Sequence, residues 1–271
     1  MLDITVLVIT KNEEVNLPYL LENVSGWAKD IVILDSGSTD NTVKIAQSYG
    51  ARIYTREFDN FSSQRNHLLS LDLSTEWSLV LDADEYLTDD LKIEIEQNIN
   101  SEEYDGFYLK RRFYWMGTWI KRGYYPTVLM RLARTGMLSC DSREINEHLV
   151  CKSTRTNILK HDFIDYNRKS LSDWLIKHND YSSREAKALF TDKNENYDFF
   201  GGQYQRKRWI RVNVWNNLPP IIRPILFVFY RVFFKLGFLD GKKALLYHFL
   251  HAFIYRAIID SKYLEIKWKE K

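Results

Sequence analysis

The first third of the chain alternates between short apolar runs and segments in which apolar residues recur at helical spacing. Unbroken apolar runs bounded by turn residues are typical of buried strands, and a helical period is typical of helices that bury one face. The predicted strands are 3–10, 30–34, 52–56 and 77–81, and the predicted helices are 15–26, 40–49 and 61–72. This alternation predicts an α/β fold with a mostly parallel sheet covered by helices on both faces.

The middle of the chain has a different texture. Aromatic and basic residues dominate from 105 to 150, where glycines and a proline recur. We expect irregular strands and loops there that complete the sheet. Helices are expected again at 170–189 and 203–217, where apolar residues return at helical spacing.

Two apolar segments, 220–236 and 242–259, end the chain and are separated by Gly-Phe-Leu-Asp-Gly at 237–241. Neither contains about eighteen uncharged apolar residues in a row, so neither is expected to span a membrane. The interrupting cations are Arg223, Arg231, Lys235 and Arg256. Because Arg231 and Lys235 fall on nearly one helix face, we predict an amphipathic hairpin that lies in the plane of a lipid interface. A helical pair packed on the preceding domain is the alternative.

The charge of the chain is unevenly distributed. Residues 206–271 carry 14 Lys/Arg and 4 Asp/Glu, a net charge of +10, and the rest carries 24 and 32, a net charge of −8. A basic segment rich in apolar residues favours an anionic membrane surface over nucleic acid as its partner.

The only two cysteines, Cys140 and Cys151, fit no recognised spacing of metal ligands, and we expect both to be reduced thiols in a cytosolic compartment. No basic segment precedes the first apolar run and no small-residue cleavage site follows it. We therefore expect a buried strand there, and no signal peptide.

Polar residues follow three of the predicted strands, at Thr10 to Glu13, at Asp35 and at Asp82 to Glu85. Ligands of open α/β sheets bind at the carboxyl ends of the strands, so these clusters should converge. Charge directly after a buried strand is costly unless a partner compensates it, and a bound cation is such a partner. A solvated acidic turn, or an N-terminal signal for a helix over 88–98, is the alternative.

Side chains alternate along extended chain, so Asp82 and Asp84 face the same side. Mg²⁺ and Mn²⁺ prefer oxygen ligands and often take only one or two carboxylates from the protein. We predict that Asp84 binds the metal and that Asp82 contacts a ribose, or the metal through water.

Four segments occur in the order and at about the spacing of the inverting family 2 glycosyltransferases, which the chain resembles over residues 3–160. They are Val-Ile-Thr-Lys-Asn-Glu-Glu at 8–14, Leu-Asp-Ser-Gly-Ser-Thr-Asp-Asn-Thr at 34–42, Gln-Arg-Asn at 64–66 and Asp-Ala-Asp-Glu at 82–85. The resemblance implies a GT-A fold, a nucleotide-diphospho-sugar transferase architecture with a Rossmann-like sheet. It also implies that Thr10, Glu13 and Asp35 hold uracil and ribose and that Arg65 helps to hold the base.

The resemblance also implies a catalytic base. Related enzymes carry Val-His-Glu-x-Leu or Asn-Glu-x-Leu where this chain has residues 141–149, so Glu147 is the predicted base and Glu144 and Asp141 are alternatives. His161 matches a histidine found after the last sheet strand, near the donor phosphates. It is therefore a candidate third metal ligand or phosphate contact, and a hydrogen-bonded structural role is the alternative.

Four aromatic residues of the middle segment are candidate sugar-stacking residues, although they could also belong to the core. They are Trp115, Trp119, Tyr124 and Tyr125.

The C-terminal part looks like the tail of bacterial enzymes that build lipopolysaccharide core or exopolysaccharide. The matching segments are 206–210, 218–220, 223–224, 237–241 and 247–250. Two departures, Ser36 in place of a usual second Asp and Asn146 in place of a common His before the base, affect the nucleobase and the sugar. The implied donor is a nucleotide sugar, expected to be UDP-linked, and the implied acceptor is a lipid-linked saccharide at the cytoplasmic face of the inner membrane.

The predicted organisation has three parts. Residues 1–165 form the catalytic domain, with a donor half at about 1–100 and an acceptor half at about 101–165; 166–218 form a helical region that closes the site; 219–271 form the hairpin, a peripheral or monotopic anchor. A polyprenyl-phosphate sugar transferase and a non-catalytic membrane scaffold are the alternatives. A nucleotidyltransferase would need a Gly-rich phosphate loop after the first strand, which Thr10 to Glu13 does not provide.

Overall fold

A computed structural model describes residues 1–141, 148–191, 209–210, 213, 217–220 and 222–269. The chain divides into two compact units, Met1–Lys169 and Ser170–Lys271. The sequence predicts boundaries after residues 165 and 218, whereas the structure has one unit boundary, which follows Lys169.

Strands and helices alternate through the first half of the N-terminal unit. Its strands are β1 (Leu2–Thr10), β2 (Ala28–Asp35), β3 (Arg52–Thr55), β4 (Trp77–Asp82), β5 (Glu85–Leu87), β6 (Gly106–Trp115), β7 (Thr118–Trp119), β8 (Thr127–Arg134), β9 (Leu138–Cys140), β10 (Leu149–Cys151) and β11 (Thr156–Asp165). Its helices are α1 (Leu17–Val24), α2 (Thr42–Ser48), α3 (Phe61–Leu69) and α4 (Asp89–Asn98).

In the described part of this unit, nine strands form one sheet in the order β3-β2-β1-β4-β8-β6-β11-β5, with β7 paired to β6. The first four strands of this order run parallel, and β8 is antiparallel to both of its neighbours. β11 is parallel to β6 and antiparallel to β5. The predicted α/β fold with a largely parallel sheet is therefore confirmed.

The unbroken apolar run of β1 reflects burial on both faces of the sheet. Val6 and Val8 belong to a buried cluster that includes Leu20 of α1 and Ile95 of α4. Leu7 lies between them and belongs to a second cluster, together with Leu68 of α3. Because successive side chains of a strand point to opposite faces, β1 supplies both halves of the core.

The parallel register brings the predicted polar clusters together. Thr10 pairs with Asp35 at the end of β1 and β2, and Ile9 pairs with Asp82 at the end of β1 and β4. The prediction that these strand ends converge is confirmed, because all three strands end at the same edge of the sheet.

The chain from 106 to 134 is more regular than the sequence suggests. β6 has ten residues and β8 has eight, and the two strands pair over most of their length. β6 fully buries Phe107 and Leu109 and leaves most of its other residues half-buried. The prediction that this segment completes the sheet is confirmed, and the pairing of β6 with β8 has one register shift, between Phe107 and Tyr108. The half-buried aromatic and basic residues hid the two-residue period of these strands.

The C-terminal unit is helical in its described part. Its elements are α5 (Leu171–Thr191), α6 (Ile222–Phe229) with a π-helical continuation over Tyr230–Phe234, a 3₁₀ turn over Gly237–Asp240, α7 (Lys242–His248) with a π-helical continuation over Phe249–Ile254, and α8 (Tyr255–Lys269). α5 packs along α8. Among the helices described, none is long and apolar enough to cross a bilayer. The predicted helix at 203–217 falls almost wholly outside the described residues.

The break between the two apolar segments occurs at 237–241, as predicted, and close packing explains its first glycine. A Cβ on Gly237 would lie 2.5 Å from Nε2 of His248 and 2.7 Å from the backbone oxygen of Arg231. Leu236 just before it has φ 56° and Gly241 has φ 94°, so the chain reverses through left-handed conformations.

Candidate active site

Asp35 is buried at the end of β2 and organises the turn that follows it. Its Oδ1 accepts hydrogen bonds from Thr10 Oγ1 (2.9 Å) and Ser38 Oγ (2.6 Å), and its Oδ2 accepts from the backbone N–H groups of Gly37 (3.0 Å) and Ser38 (2.8 Å). A carboxylate has about four acceptor positions, so these four bonds use them all. With Asp35 only 2% exposed, these bonds hold Thr10 and the turn in place, and a contact of Asp35 with the donor stays a prediction.

Glu13 lies where β1 leaves the sheet. Its Oε1 is 2.7 Å from Nζ of Lys169, and its Oε2 accepts a hydrogen bond from Nδ2 of Asn16 at 2.9 Å. Burial raises the pKa of Glu13, and the charge of Asp84 adds to this rise against the opposing effect of Lys169. The electrostatic effect places Glu13 and Asp84 near one another at the same edge of the sheet.

Asp82 is held by two arginines. Arg65 of α3 donates to its Oδ1 at 2.8 Å, and Arg131 of β8 donates to its Oδ2 at 3.2 Å. Burial alone would raise the pKa of Asp82, but the two guanidinium groups outweigh it and keep the pKa below its usual range. Arg65 is 8% exposed, so as placed it supports Asp82, and a direct contact with a nucleobase remains a prediction.

Glu85 is the buried partner of the same network. Arg131 donates to its Oε1 at 2.5 Å, and the backbone N–H of Asp82 donates to its Oε2 at 2.9 Å. Burial raises the pKa of Glu85 to about 8, with further increases from Asp82 and Asp165 and an opposing effect of Arg131. The bond from the Asp82 N–H to Glu85 closes the turn from residue 82 to residue 85. Asp84 lies within this turn.

Asp84 differs from its neighbours, because its carboxylate makes no hydrogen bond or ion pair with any side chain in the described ranges. Its backbone oxygen accepts a hydrogen bond from the N–H of Tyr166 at 2.9 Å, which ties the turn to the end of β11. The charge of Asp84 also raises the pKa of Asp165, which burial brings to about 7 against the effect of Arg111. An unpaired carboxylate therefore lies half-buried among Glu13, Asp82 and Asp165, in surroundings that favour a cation.

The donor set at Asp84 is open. Within the part of the chain that the structure describes, no group of three or more His, Cys, Asp or Glu side chains could hold a metal ion. A single unpaired carboxylate still fits Mg²⁺ or Mn²⁺, which complete their coordination with water and substrate phosphate oxygens.

The predicted base Glu147 and its alternative Glu144 lie outside the described residues, but the ends of their segment are visible. The backbone N–H of Asp141 donates to the backbone oxygen of His148 at 3.1 Å, and the N–H of His148 donates to Oδ1 of Asp141 at 2.9 Å. Ser62 of α3 donates to the backbone oxygen of Asp141. Asp141, the last described residue before the segment, therefore lies beside α3, the helix that carries Arg65.

His161 is not placed as the resemblance implies. It lies inside β11 and not after it, and its Nδ1 is 2.9 Å from Oε2 of Glu94 on α4. The Glu94 carboxylate also accepts hydrogen bonds from the backbone N–H groups of Lys160 and His161. This contact with α4 agrees with the alternative, a hydrogen-bonded structural role for this exposed histidine, and a metal or phosphate contact stays a prediction.

Two of the aromatic candidates are already engaged. Trp115 is buried and belongs to the interior of the unit. Over the ring of Trp119 lie Cζ of Arg112 and Nζ of Lys121, 4.4 Å and 4.5 Å from its centroid. Trp115 is thus buried and Trp119 contacts two cations, and sugar stacking by either ring stays a prediction.

Sequence reasoning missed three charged residues at this edge, Arg131, Asp165 and Lys169, and gave Glu85 no role of its own within the predicted cluster at 82–85. Arg131 carried a usable signal, because a lone arginine inside the apolar run of β8 predicts a buried ion pair. The other two had no such signal, since a carboxylate at the end of a strand and a lysine after it are common on protein surfaces.

The strand-end carboxylates, the open donor set and the largely parallel sheet define a class, the GT-A transferases. Residues 5–163 match the sequence model of glycosyl transferase family 2. The chain therefore belongs to this family and is a glycosyltransferase, which confirms the resemblance described above.

Two related proteins and one solved structure show the range of similarity. The chain is 26% identical over 209 residues to the uncharacterized glycosyltransferase RT0209 of Rickettsia typhi, covering 69% of this chain and 68% of that protein. It is 28% identical over 197 residues to the lipopolysaccharide core biosynthesis glycosyltransferase LpsC of Rhizobium meliloti, covering 68% and 71%. The structure of S. aureus TarS 1-349 in complex with UDP-GlcNAc aligns with a TM-score of 0.47 and 14% identity, covering 98% of this chain and 92% of that one.

Proposed function

We propose that this glycosyltransferase moves a hexose or N-acetylhexosamine, with inversion, from a nucleotide sugar to a lipid-linked saccharide in lipopolysaccharide or exopolysaccharide synthesis. The observation that carries the proposal is the unpaired carboxylate of Asp84 at the meeting point of the strand ends. Similarity to LpsC, whose name assigns it to lipopolysaccharide core biosynthesis, supports the class of acceptor.

Asp84 would hold the divalent metal, Mg²⁺ or Mn²⁺. When bound, the ion supplies positive charge that stabilises the leaving nucleoside diphosphate. Asp82 is kept ionised by Arg65 and Arg131, so it can accept a hydrogen bond from a ribose hydroxyl. The alternative contact of Asp82, to the metal through a water molecule, would depend on the same negative charge.

The donor is expected to be UDP-linked, because the segments at the ends of β1 and β2 resemble the uracil-binding segments of the family. In this structure Asp35 holds that surface in place through its hydrogen bonds with Thr10 and with the turn at 36–38. Glu13 and Thr10 remain the predicted donor contacts at the end of β1.

Glu147 is the proposed base. In an inverting transfer the acceptor hydroxyl oxygen attacks the anomeric carbon, its proton passes to the carboxylate, and the bond to the diphosphate oxygen breaks. The transition state resembles an oxocarbenium ion, as in glycoside hydrolysis. Asp141, which precedes this segment, contacts Ser62 of α3, and this supports the role, because α3 also carries Arg65, the partner of Asp82.

The test is a screen of nucleotide sugars for binding and hydrolysis by the full chain, with and without Mn²⁺. We expect binding of one UDP-sugar that depends on the metal, and at least a hundredfold loss of turnover in Asp84→Asn. Asp72→Asn removes an exposed carboxylate away from the strand ends and is the matched control, with turnover near that of the unaltered protein.

Two results would redirect the proposal. Binding of nucleotide sugars that does not depend on Mn²⁺, or no binding of any nucleotide sugar, would favour the non-catalytic scaffold. If Glu147→Gln turned over normally while Asp84→Asn did not, the acceptor would be a polyprenyl phosphate, which needs no strong base.

A further inference from the structure

The C-terminal unit turns the apolar side of its first hairpin helix outward. On α6, Arg223 and Pro224 are buried, whereas Ile225, Leu226 and Phe229 are exposed. A helix on the surface of a globular protein normally buries its apolar stripe and exposes its charges. α6 instead buries a charged residue and exposes apolar ones, which indicates that its exposed side binds a partner.

The exposed apolar surface continues well beyond α6. Thirteen large hydrophobic residues between 222 and 249 are exposed, and we call their side chains the apolar face. It includes Phe233, Phe234, Phe238 and Phe249, of which Phe234 is 73% exposed. Four of its rings, those of Phe229, Tyr230, Phe233 and Phe234, contact one another. Exposed apolar patches mark protein–protein or membrane interaction sites.

A buried ion pair fixes the direction of this face. An Nη of Arg223 on α6 lies 2.6 Å from Oδ1 of Asp260 on α8, and both residues are less than a tenth exposed. Rotating α6 to bury its apolar stripe would carry Arg223 away and leave Asp260 as an uncompensated buried charge, which is strongly unfavourable. The outward orientation is therefore built into the packing of the unit.

The charges around the apolar face identify the partner. Lys235, Lys242 and Lys243 are exposed at the turn of the hairpin, and Asp240 is the only acidic residue between 222 and 249. A second copy of this chain would bring these lysines against those of its partner, which is repulsive. An anionic bilayer offers acyl chains to the aromatic residues and phosphates to the lysines.

We propose that the apolar face docks in the plane of an anionic lipid bilayer, with the phenylalanines at the boundary of the acyl chains and the lysines among the headgroups. The described helices are too short and too charged to cross it. The docking rests on the C-terminal unit alone, and it deepens the proposed function by bringing the enzyme to the surface that holds a lipid-linked acceptor. The predicted position at the cytoplasmic face of the inner membrane is part of the same proposal.

The experiment is sedimentation of the full chain with vesicles of phosphatidylcholine containing about a third phosphatidylglycerol. Because burial of apolar side chains in the acyl region favours binding, we expect Phe233→Ser/Phe234→Ser to weaken vesicle binding at least tenfold. Ile93→Ser is the matched control, because Ile93 is a half-exposed hydrophobic residue of the N-terminal unit, and it should bind as the unaltered protein does.

Three results would overturn the docking proposal: no binding to anionic vesicles, equal binding by the double variant, and a stable dimer in gel filtration that the double variant dissociates. The last result would assign the apolar face to a second copy. Asp84→Asn should bind vesicles normally, so a failure of the catalytic proposal is distinguishable from a failure of the docking proposal. Equal melting temperatures of the variants would show that the substitutions act on the surface only.

Discussion

At the scale of single residues, three acidic side chains within four positions have different environments. Asp82 is paired with two arginines, Glu85 is buried against one of them, and Asp84 has no polar side-chain partner among the residues described. Buried charges require compensation by the protein itself, whereas a half-buried carboxylate can take its compensation from a ligand. The arginines around Asp82 therefore stabilise the fold, and the unpaired carboxylate of Asp84 agrees with its proposed role as the metal ligand.

Arg131→Met tests this division. It would leave Glu85 and Asp82 without their shared partner, and removing one member of a buried ion pair costs about 3–5 kcal/mol. We expect a loss of unfolding free energy of that size, measured by urea denaturation followed through tryptophan fluorescence. Asp84→Asn should not lower the unfolding free energy, because the carboxylate of Asp84 forms no hydrogen bond or ion pair with a described side chain.

A double variant provides the control for the Arg131 prediction. Arg131→Met/Glu85→Gln should recover part of the lost stability, because the buried carboxyl group that lost its partner is then replaced by a neutral amide. A single Arg131→Met variant as stable as the unaltered protein would contradict the assignment of this arginine to the fold.

Residue identities predicted this site only in part. The motifs at 10–13 and 82–85 gave the correct location, because apolar strands that end in polar residues can be recognised along the chain. The partners of Asp35 and His161 could not be recognised, since Ser38 and Glu94 are ordinary surface residue types until the fold brings them within hydrogen-bonding distance.

At the scale of elements, the turn between the two hairpin helices depends on close packing. Any side chain at Gly237 would collide with the ring of His248 and with the backbone of Arg231. We expect Gly237→Ala to lower the unfolding free energy by about 1–3 kcal/mol, the range for overpacked sites. Ser261→Ala, at an exposed position of α8, is the control in the same urea titration and should change stability little. A Gly237→Ala protein of normal stability would show that the turn can open at no cost.

Three histidines of the C-terminal unit make its stability dependent on pH. Burial lowers the pKa of His178 and of His248 to about 4 and that of His251 well below its usual value. In the unfolded chain they bind protons below about pH 6.5, so the unfolded state holds more protons than the folded one and stability falls as the pH falls. Asp260, whose pKa burial raises to about 6 despite the neighbouring Arg223, has the opposite effect but is one group against three.

We therefore expect the stability of the C-terminal unit to drop as the pH is lowered from about 6.5 to about 4.5. His178→Gln should reduce the pH dependence by up to about 1.4 kcal/mol per pH unit, the contribution of one proton. Circular dichroism melts at several pH values measure this slope. His67→Gln, at an exposed position of α3, is the control, and an equal slope in both variants would contradict burial of His178.

At the scale of the whole molecule, the charge asymmetry has a measurable consequence. Screening shortens the reach of exposed charges from about 10 Å at 0.1 M salt to about 3 Å at 1 M, but leaves apolar burial in place. We expect binding to anionic vesicles to weaken severalfold between 0.1 and 0.5 M NaCl without being lost. Vesicle sedimentation at a series of salt concentrations measures this dependence.

Lysine variants identify which charges are responsible. Replacing Lys235, Lys242 and Lys243 together by glutamine should remove most of the salt dependence, since each lysine near an anionic surface contributes about 1 kcal/mol. The matched control replaces three exposed lysines of the N-terminal unit, Lys29, Lys44 and Lys152. Equal salt dependence of the two triple variants would show that the overall charge acts, and not the hairpin.

The sequence by itself determined the alternation of strands and helices, the largely parallel sheet, the edge at which the polar residues meet and the family. These follow from local periodicity and from short motifs, which are properties of neighbouring residues. Only the tertiary structure decided that Asp35 is saturated, that Arg131 joins Asp82 to Glu85, that His161 belongs to Glu94 and that α6 faces outward around Arg223 and Asp260. Such pairings join residues far apart in the chain, and no local pattern encodes which distant partner satisfies a buried charge.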